Sequence, residues 1–109
     1  MEDAGDRPEW NADKAADLIG ARVLIGITRL SPEGQDKREQ MFGIIQSASA
    51  RNGFAVALEG SRDGEIYWLP PDLSCFAVAR PGEYRLRSTG VVVVDPDYIS
   101  NWTIQPRAH

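Results

Sequence analysis

The segment IYWLPPDLSCF, residues 66–76, joins an aromatic-rich run to two consecutive prolines and a polar turn. Pro70 restricts Leu69 to an extended conformation because the proline ring clashes with a preceding helical residue. Asp72 stands where an acidic side chain can cap a single helical turn over residues 73–76. The segment therefore predicts a β-strand, a stiff exit from that strand and a capped turn.

The same segment is a candidate protein-contact surface. In an extended strand Tyr67 and Leu69 share one face, whereas Ile66 and Trp68 share the other, so both faces carry an aromatic side chain. A partly exposed aromatic beside a rigid proline segment offers a large contact area at a small entropy cost. The candidate partner-binding residues are Tyr67, Trp68, Pro70, Pro71 and Asp72, and a purely structural corner is the alternative.

Short predicted strands flank this segment on both sides. Alternating apolar residues or tight-turn signals such as Asn-Gly and Asp-Gly delimit strands over 22–28, 35–45, 54–58, 66–69, 84–87, 91–94 and 98–104. Gly43, in the middle of the second strand, predicts a bulge or a sharp bend. Short strands about ten residues apart, with turns between them, are typical of a small barrel or sandwich.

A short helix is predicted before the first strand, over residues 8–19. Pro8 suits a first helical position and Gly20 is placed to end the helix. Trp10 and Leu18 belong to an apolar side at helical spacing, so we expect Trp10 to anchor the helix on the sheet. A partner-binding role for Trp10 is the alternative.

These elements predict one all-β domain over residues 8–105. We expect a small SH3-like antiparallel barrel of five to seven strands with the short N-terminal helix, and we expect residues 73–78 to close its open end through Leu73, Phe76 and Val78. The acidic start, residues 1–7, is expected to be disordered, and residues 106–109 to be frayed.

The acidic charge is concentrated at the start of the chain. The 109 residues carry a net charge of −4, with six acidic and two basic residues in positions 1–17 and ten of each in positions 18–109. Sequence-independent nucleic-acid binding relies on Lys and Arg to displace counterions from phosphates. A neutral body behind an acidic start therefore argues against that class.

The residue types needed for common catalytic and metal sites are scarce. The single histidine is His109, at the extreme C-terminus, and the single cysteine, Cys75, has no histidine to activate it. Zinc sites need several Cys or His at set spacings, and the Asp95-Pro96-Asp97 pair suits a turn better than a cation site. We therefore predict no catalytic residue, no metal and no cofactor. A carboxylate site assembled from Glu59, Glu65 or Asp72 is the enzymatic alternative.

Arg85 and Arg87 are the basic candidates. They project from one face of a predicted strand, whereas Tyr84 and Leu86 project from the other. A solvated face with cross-strand carboxylate partners is the first interpretation, and contact with an anion or an acidic partner is the second.

A set of motifs resembles a family of small, uncharacterised bacterial proteins. The motifs are LIGIT (24–28), WLPPDLS (68–74), PGEYRLRSTG (81–90), DPDY (95–98) and NWTI (101–104), and the likeness covers residues 15–105. The resemblance implies a bacterial source and no catalytic or binding residue. More distantly, the strand, proline and short turn resemble the strand, 3₁₀ turn and strand of SH3-like barrels.

We expect a non-catalytic protein-interaction module. The alternatives are a nucleic-acid-binding barrel, with Arg22, Arg29, Arg80, Arg85 or Arg87 on one face, an immunity-type inhibitor that uses the acidic start, and a small enzyme. No signal-peptide pattern or long apolar run is present, so a cytoplasmic location is expected. Edge strands such as 91–94 could pair between chains, so the protein is expected to be a monomer or a homodimer.

Overall fold

The computed structural model describes residues 10–87 and 89–105, which form one α-helix and eight β-strands. The helix is α1 (Ala12–Leu18), and the strands are β1 (Arg22–Arg29), β2 (Lys37–Ser49), β3 (Gly53–Leu58), β4 (Ile66–Leu69), β5 (Phe76–Val78), β6 (Glu83–Arg85), β7 (Val92–Val94) and β8 (Tyr98–Ile104). Two 3₁₀ turns, Gly60–Arg62 and Leu73–Cys75, lie before and after β4. The expected disordered start and frayed C-terminus lie outside the described residues.

Six strands form one sheet in the order β4-β3-β2-β1-β8-β5, and β6 and β7 form a separate pair. The first four strands are an antiparallel meander, and β5 is antiparallel to β8, but β8 runs parallel to β1. The all-β class is confirmed. The predicted number of five to seven strands is wrong, because the three-residue β5 is too short to show alternation. The prediction that all strands are antiparallel is also wrong, because β8 reaches β1 by a long crossover.

The sheet curls on itself without closing. Only six residues separate β4 from β5, which lie at opposite edges of the sheet. In a flat six-stranded sheet the outer strands would be about 24 Å apart, which the six residues could span only if they were fully extended. Because three of them form the Leu73–Cys75 turn, the two edges must lie closer together, and the sheet is curled. The rings of Phe54 in β3 and Phe76 in β5 lie 4.7 Å apart across the concave face. No hydrogen bond between described residues joins β4 to β5 in a ladder, so the expected closed barrel is wrong.

The concave face of the sheet holds the main hydrophobic core. It includes Val23, Ile25 and Ile27 of β1, which alternate with residues of the outer face. Their neighbours in the core come from α1 and from all five remaining strands of the sheet. Among them are Ile45, Val56, Leu69, Phe76, Ala15 and Leu18. The period-two pattern of the sequence thus corresponds to one buried face of a curled sheet.

The N-terminal helix is shorter than predicted. Asn11 is the N-cap, and its side chain accepts a hydrogen bond from the backbone N–H of Lys14 at 3.1 Å. The helix begins at Ala12 instead of residue 8, because an Asn cap satisfies the free N–H groups there. Trp10 is half-buried, and its ring lies 5.6 Å from that of Phe54. This contact supports the expected anchoring role, and Pro8 lies outside the described residues.

The β6–β7 hairpin covers part of the outer face. Leu86 and Val93 are buried against Leu24 of β1, and Phe42, Tyr84, Val91 and Ile99 surround this second cluster. The hairpin is pinned at its base, where the backbone N–H of Gly82 donates to the carboxylate of Asp95 at 2.7 Å. It therefore acts as a small lid over the outer side of β1, β2 and β8.

Gly43 is not the site of a bulge, and the alternative of a sharp bend there stays a prediction. The irregularity in the β2–β3 ladder lies between Ile45 and Ser47, whereas Gly43 pairs regularly with Val23 and Leu58. A Cβ at position 43 would overlap the backbone carbonyl of Ala57. The glycine thus permits close approach of β3, and the predicted bulge at this residue is wrong.

Candidate partner-binding surface

Strand β4 separates its side chains into a buried pair and an exposed pair. Leu69 is 2% exposed and Tyr67 packs half-buried against the core, whereas Ile66 is 46% and Trp68 is 55% exposed. The outward-facing aromatic of the segment is therefore Trp68. Its exposure is large for an indole, which is usually among the most buried side chains of a small domain.

Neighbouring strands extend this exposed apolar surface. Ile66 is opposite Ala57 of β3, and Ala57 is opposite Ile44 of β2, and both neighbours are partly exposed. We call Ile44, Ala57, Ile66 and Trp68 the β4 surface. It lies on the outer face of the sheet, beyond the cluster that the β6–β7 hairpin covers.

The backbone of β4 is also open on one side, since β3 is its sole neighbour within the described sheet. The N–H of Leu58 donates to the carbonyl of Glu65 at 2.9 Å. In an antiparallel ladder the bonding direction alternates along the strand. The N–H and C=O groups of Ile66 and Trp68 therefore point away from β3, on the free edge of the sheet.

The exit from β4 is held in one conformation. Pro70 follows directly, the carbonyl of Pro70 accepts from the N–H of Asp72 at 2.8 Å, and Asp72 caps the 3₁₀ turn. The Asp72 carboxylate accepts from both the N–H and the hydroxyl of Ser74, and the hydroxyl contact in particular lowers the pKa of Asp72. The predicted capped turn is present over residues 73–75.

The residues expected to close the end of the barrel divide into two groups. Leu73 and Phe76 are buried in the core, but Val78 is 80% exposed. The expectation for Val78 is wrong, because β5 is an edge strand and its last residue extends past the core.

Two ion pairs adjoin the β4 surface, since Arg22 is opposite Ile44 and Glu65 directly precedes Ile66. Arg22 donates to both oxygens of Glu59, at 2.9 and 3.2 Å, and this contact raises the pKa of Arg22. Arg62 bonds Glu65 at 2.8 Å, which raises the pKa of Arg62 and lowers that of Glu65. Each pair neutralises its own two charges, and a surface beside neutralised charges favours an apolar contact over a charged one.

The remaining predicted candidates lie elsewhere. Arg85 and Arg87 are exposed on the β6–β7 hairpin, and neither forms an ion pair with residues 10–87 or 89–105, so the expected cross-strand carboxylates are not among those residues. Arg22 and Arg29 of the nucleic-acid hypothesis are each bound to a glutamate.

The carboxylates considered for catalysis are held separately. Glu59 pairs with Arg22, Glu65 with Arg62, and Asp72 caps its turn. Asp95 and Asp97 accept backbone N–H groups of Gly82 and Arg22, respectively, so their carboxylates tie the turn to two distant elements.

The single thiol is in a poor environment for a nucleophile. Cys75 is partly buried and its Sγ lies 3.5 Å from the Asp72 carboxylate. Burial first, and the nearby negative charge second, raise the pKa of Cys75. The reactive thiolate form is therefore disfavoured at neutral pH.

Comparison of the chain with family models, curated proteins and solved structures finds no match in any of the three. In residues 10–87 and 89–105, no helix is both long enough and apolar enough to cross a bilayer. The same residues contain no group of three or more His, Cys, Asp or Glu arranged to hold a metal ion.

Sequence reasoning missed part of the β4 surface. Alternation places Ile66 on the same face as Trp68 but does not mark it as a candidate, and Ile44 and Ala57 join the surface only through the pairing of β2, β3 and β4. Alternation identifies which side chains share a face, but only tertiary structure shows which face is buried.

Proposed function

We propose that the protein is a non-catalytic protein-interaction module that contacts its partner through the β4 surface. The observation that carries the proposal is the exposure of Trp68, 55%, beside Ile66, 46%, on an edge strand. Tryptophan is enriched among the residues that dominate binding energy at protein interfaces. An exposed pair of large apolar side chains loses contact with water when a partner covers it, which favours binding.

The open edge of β4 indicates the shape of the partner segment. Ile66 and Trp68 present both side chains on the outer face and backbone hydrogen-bonding groups at the edge. An extended segment with apolar residues at alternate positions can pair with such an edge and cover the side chains. Pro70 has no N–H and ends the strand, so the matching partner strand is short.

The stiff exit from β4 supports the same function. Pro70, Pro71 and the Asp72 cap restrict the chain directly after Leu69, the last residue of β4. A surface held in one conformation loses little entropy when it binds. In this proposal Pro70, Pro71 and Asp72 position the surface, and Tyr67 supports it from the core side. The strand, 3₁₀ turn and β5 together also support a distant, open relative of the SH3-like arrangement.

Affinity capture from a bacterial lysate tests the proposal. The baits are wild type, Trp68→Ala and, as the control, Val78→Ala, which truncates an even more exposed apolar residue on the opposite edge strand. We expect wild type and the Val78 variant to retain the same partner and the Trp68 variant to lose it. Retention of that partner by all three baits would contradict the assignment of the β4 surface.

A second copy of the chain is the partner to distinguish first. Sedimentation of wild type over a range of concentrations reports self-association directly. If wild type dimerises and Trp68→Ala does not, the β4 surface binds a second copy. If wild type and both variants sediment alike as monomers, the partner identified by capture is a different protein.

A further inference from the structure

A hollow of about 520 Å³ lies on the outer face of the sheet, beside the tip of the β6–β7 hairpin. Its floor consists of two rows across β2, β1 and β8, which are Gln40, Gly26 and Asn101 in one and Arg38, Thr28 and Thr103 in the next. Its volume lies within the range of about 300–1,000 Å³ that is common for small-molecule sites. No residue of the β4 surface lines it.

The hollow exists because the outer face changes character at this point. The preceding row, Phe42, Leu24 and Ile99, is apolar and lies under the hairpin. At Gly26 the central strand has no side chain, and the space is kept open. A Cβ at Gly26 would come within 2.6 Å of the side-chain oxygen of Asn101, so this glycine also lets Asn101 lie over β1.

Several polar groups around the hollow can donate hydrogen bonds. The backbone N–H of Arg87 donates to Oε1 of Gln40 at 2.8 Å, which leaves the amide NH₂ of Gln40 without a bond to the described residues. Arg38 and Arg87 line the space, and neither is paired with a carboxylate in the described part of the chain. Guanidinium and amide donors in one concave site match an anionic group.

Among the described lining residues, Glu39 is the acidic one, and its charge is compensated. Its carboxylate bonds Arg29 at 3.1 Å and Arg62 at 3.3 Å, on the side of β2 opposite to Gln40. The charges near the hollow therefore sum to a positive value, although the whole chain has a net charge of −4. This local excess of positive charge attracts anions to the hollow even though the whole chain is acidic.

We propose that this hollow binds a small anionic ligand that carries a phosphate or carboxylate group. Arg38 and Arg87 supply the charged contacts, and the NH₂ group of Gln40 supplies an amide donor. Arginine suits this task because its planar guanidinium donates two parallel hydrogen bonds to either group.

An NMR titration of the ¹⁵N-labelled full chain tests the proposal. Inorganic phosphate is the ligand in one arm and citrate in the other, with ionic strength held constant by NaCl because screening weakens exposed charge contacts. We expect saturable shifts in the amide signals of Gly26 and Arg87 and in the side-chain NH₂ signals of Gln40 and Asn101. Saturation by only one of the two ligands identifies the preferred group.

Three single variants provide the control. Arg38→Gln and Arg87→Gln remove a charge from the hollow, whereas Arg85→Gln removes one from the exposed strand β6 beside it. Loss of a charged hydrogen bond is expected to raise Kd about tenfold or more in the first two variants, with Arg85→Gln unchanged. The spectra themselves report whether each variant folds. Absence of saturable shifts in both arms, or equal weakening by all three variants, overturns the proposal.

Discussion

Gly53, the first residue of β3, determines how closely β3 can approach the end of β4. Its φ angle is +87°, and a Cβ there would overlap the carbonyl of Leu69. Gly34 has a similar φ of +80° but open space around it. Comparison of an alanine substitution at each position therefore separates the cost of a left-handed backbone from the cost of a steric clash.

Gly53→Ala is expected to lower the free energy of unfolding by about 2–5 kcal/mol, the sum of left-handed strain and overpacking. Gly34→Ala, which adds only the strain, is expected to cost about 1–2 kcal/mol. Urea unfolding of both variants measures the difference. Equal losses for the two would show that β4 does not lie as close to Gly53 as described.

Asp72 is expected to contribute stability that depends on pH. Hydrogen bonds from Ser74, foremost from its hydroxyl, lower the pKa of Asp72 in the folded state. Its ionised form therefore stabilises the fold above the unfolded pKa of about 3.9, and this contribution is lost as the pH falls through the lower folded value. Asp72→Ala is expected to cost about 1 kcal/mol at pH 7, as loss of an N-cap does, and clearly less near pH 2.

Unfolding by urea at both pH values measures this change, with Asp63→Ala as the control. Asp63 is exposed and its side chain makes no hydrogen bond within the described residues, so its replacement is expected to alter stability by less than about 0.5 kcal/mol. A cost for Asp72→Ala that stays constant across this pH range would contradict the capping role.

At the scale of elements, the β6–β7 hairpin depends on one small cluster. Leu86 is 3% exposed against Leu24 and Val93, whereas Val94 of the same hairpin is 55% exposed. Leu86→Ala is expected to cost about 2–4 kcal/mol through loss of buried contacts and the cavity left behind. Val94→Ala is expected to change stability by less than about 0.5 kcal/mol.

Hydrogen exchange locates the effect. In the Leu86 variant we expect faster exchange at the β6–β7 amides, because the hairpin is attached to the sheet mainly through this cluster. The amides of β1 and β2 that face each other are expected to stay protected. If protection fell uniformly over the whole sheet, the hairpin would be part of a single cooperative core and not a separate lid.

At the scale of the whole molecule, local patterns predict the strands better than their arrangement. The sequence predicts β1, β3, β4, β7 and β8 to within about one residue, because alternation and the glycine turns are local signals. The parallel pairing of β8 with β1 is not local. It depends on the hairpin at residues 83–94 leaving the main sheet, and an alternating strand looks the same in either sheet.

The candidate site shows the same division. Alternation places Trp68 and Ile66 on one face and Tyr67 on the other, but the exposed face of β4 follows only from the curl of the sheet. The hollow at Gly26 assembles residues from β2, β1 and β8 and from the hairpin tip, which are far apart in sequence. Register between distant strands is set by packing and has no signal in one strand alone.

The most direct test of the proposed function is the affinity of the captured partner for wild type, Trp68→Ala and Val78→Ala, measured by titration calorimetry. If the β4 surface is the interface, removal of the indole is expected to weaken binding about 30-fold or more, as for a central hot-spot residue, while the Val78 variant binds like wild type. A Kd for Trp68→Ala within about twofold of wild type would contradict the account, since a central tryptophan is worth far more than that at an interface.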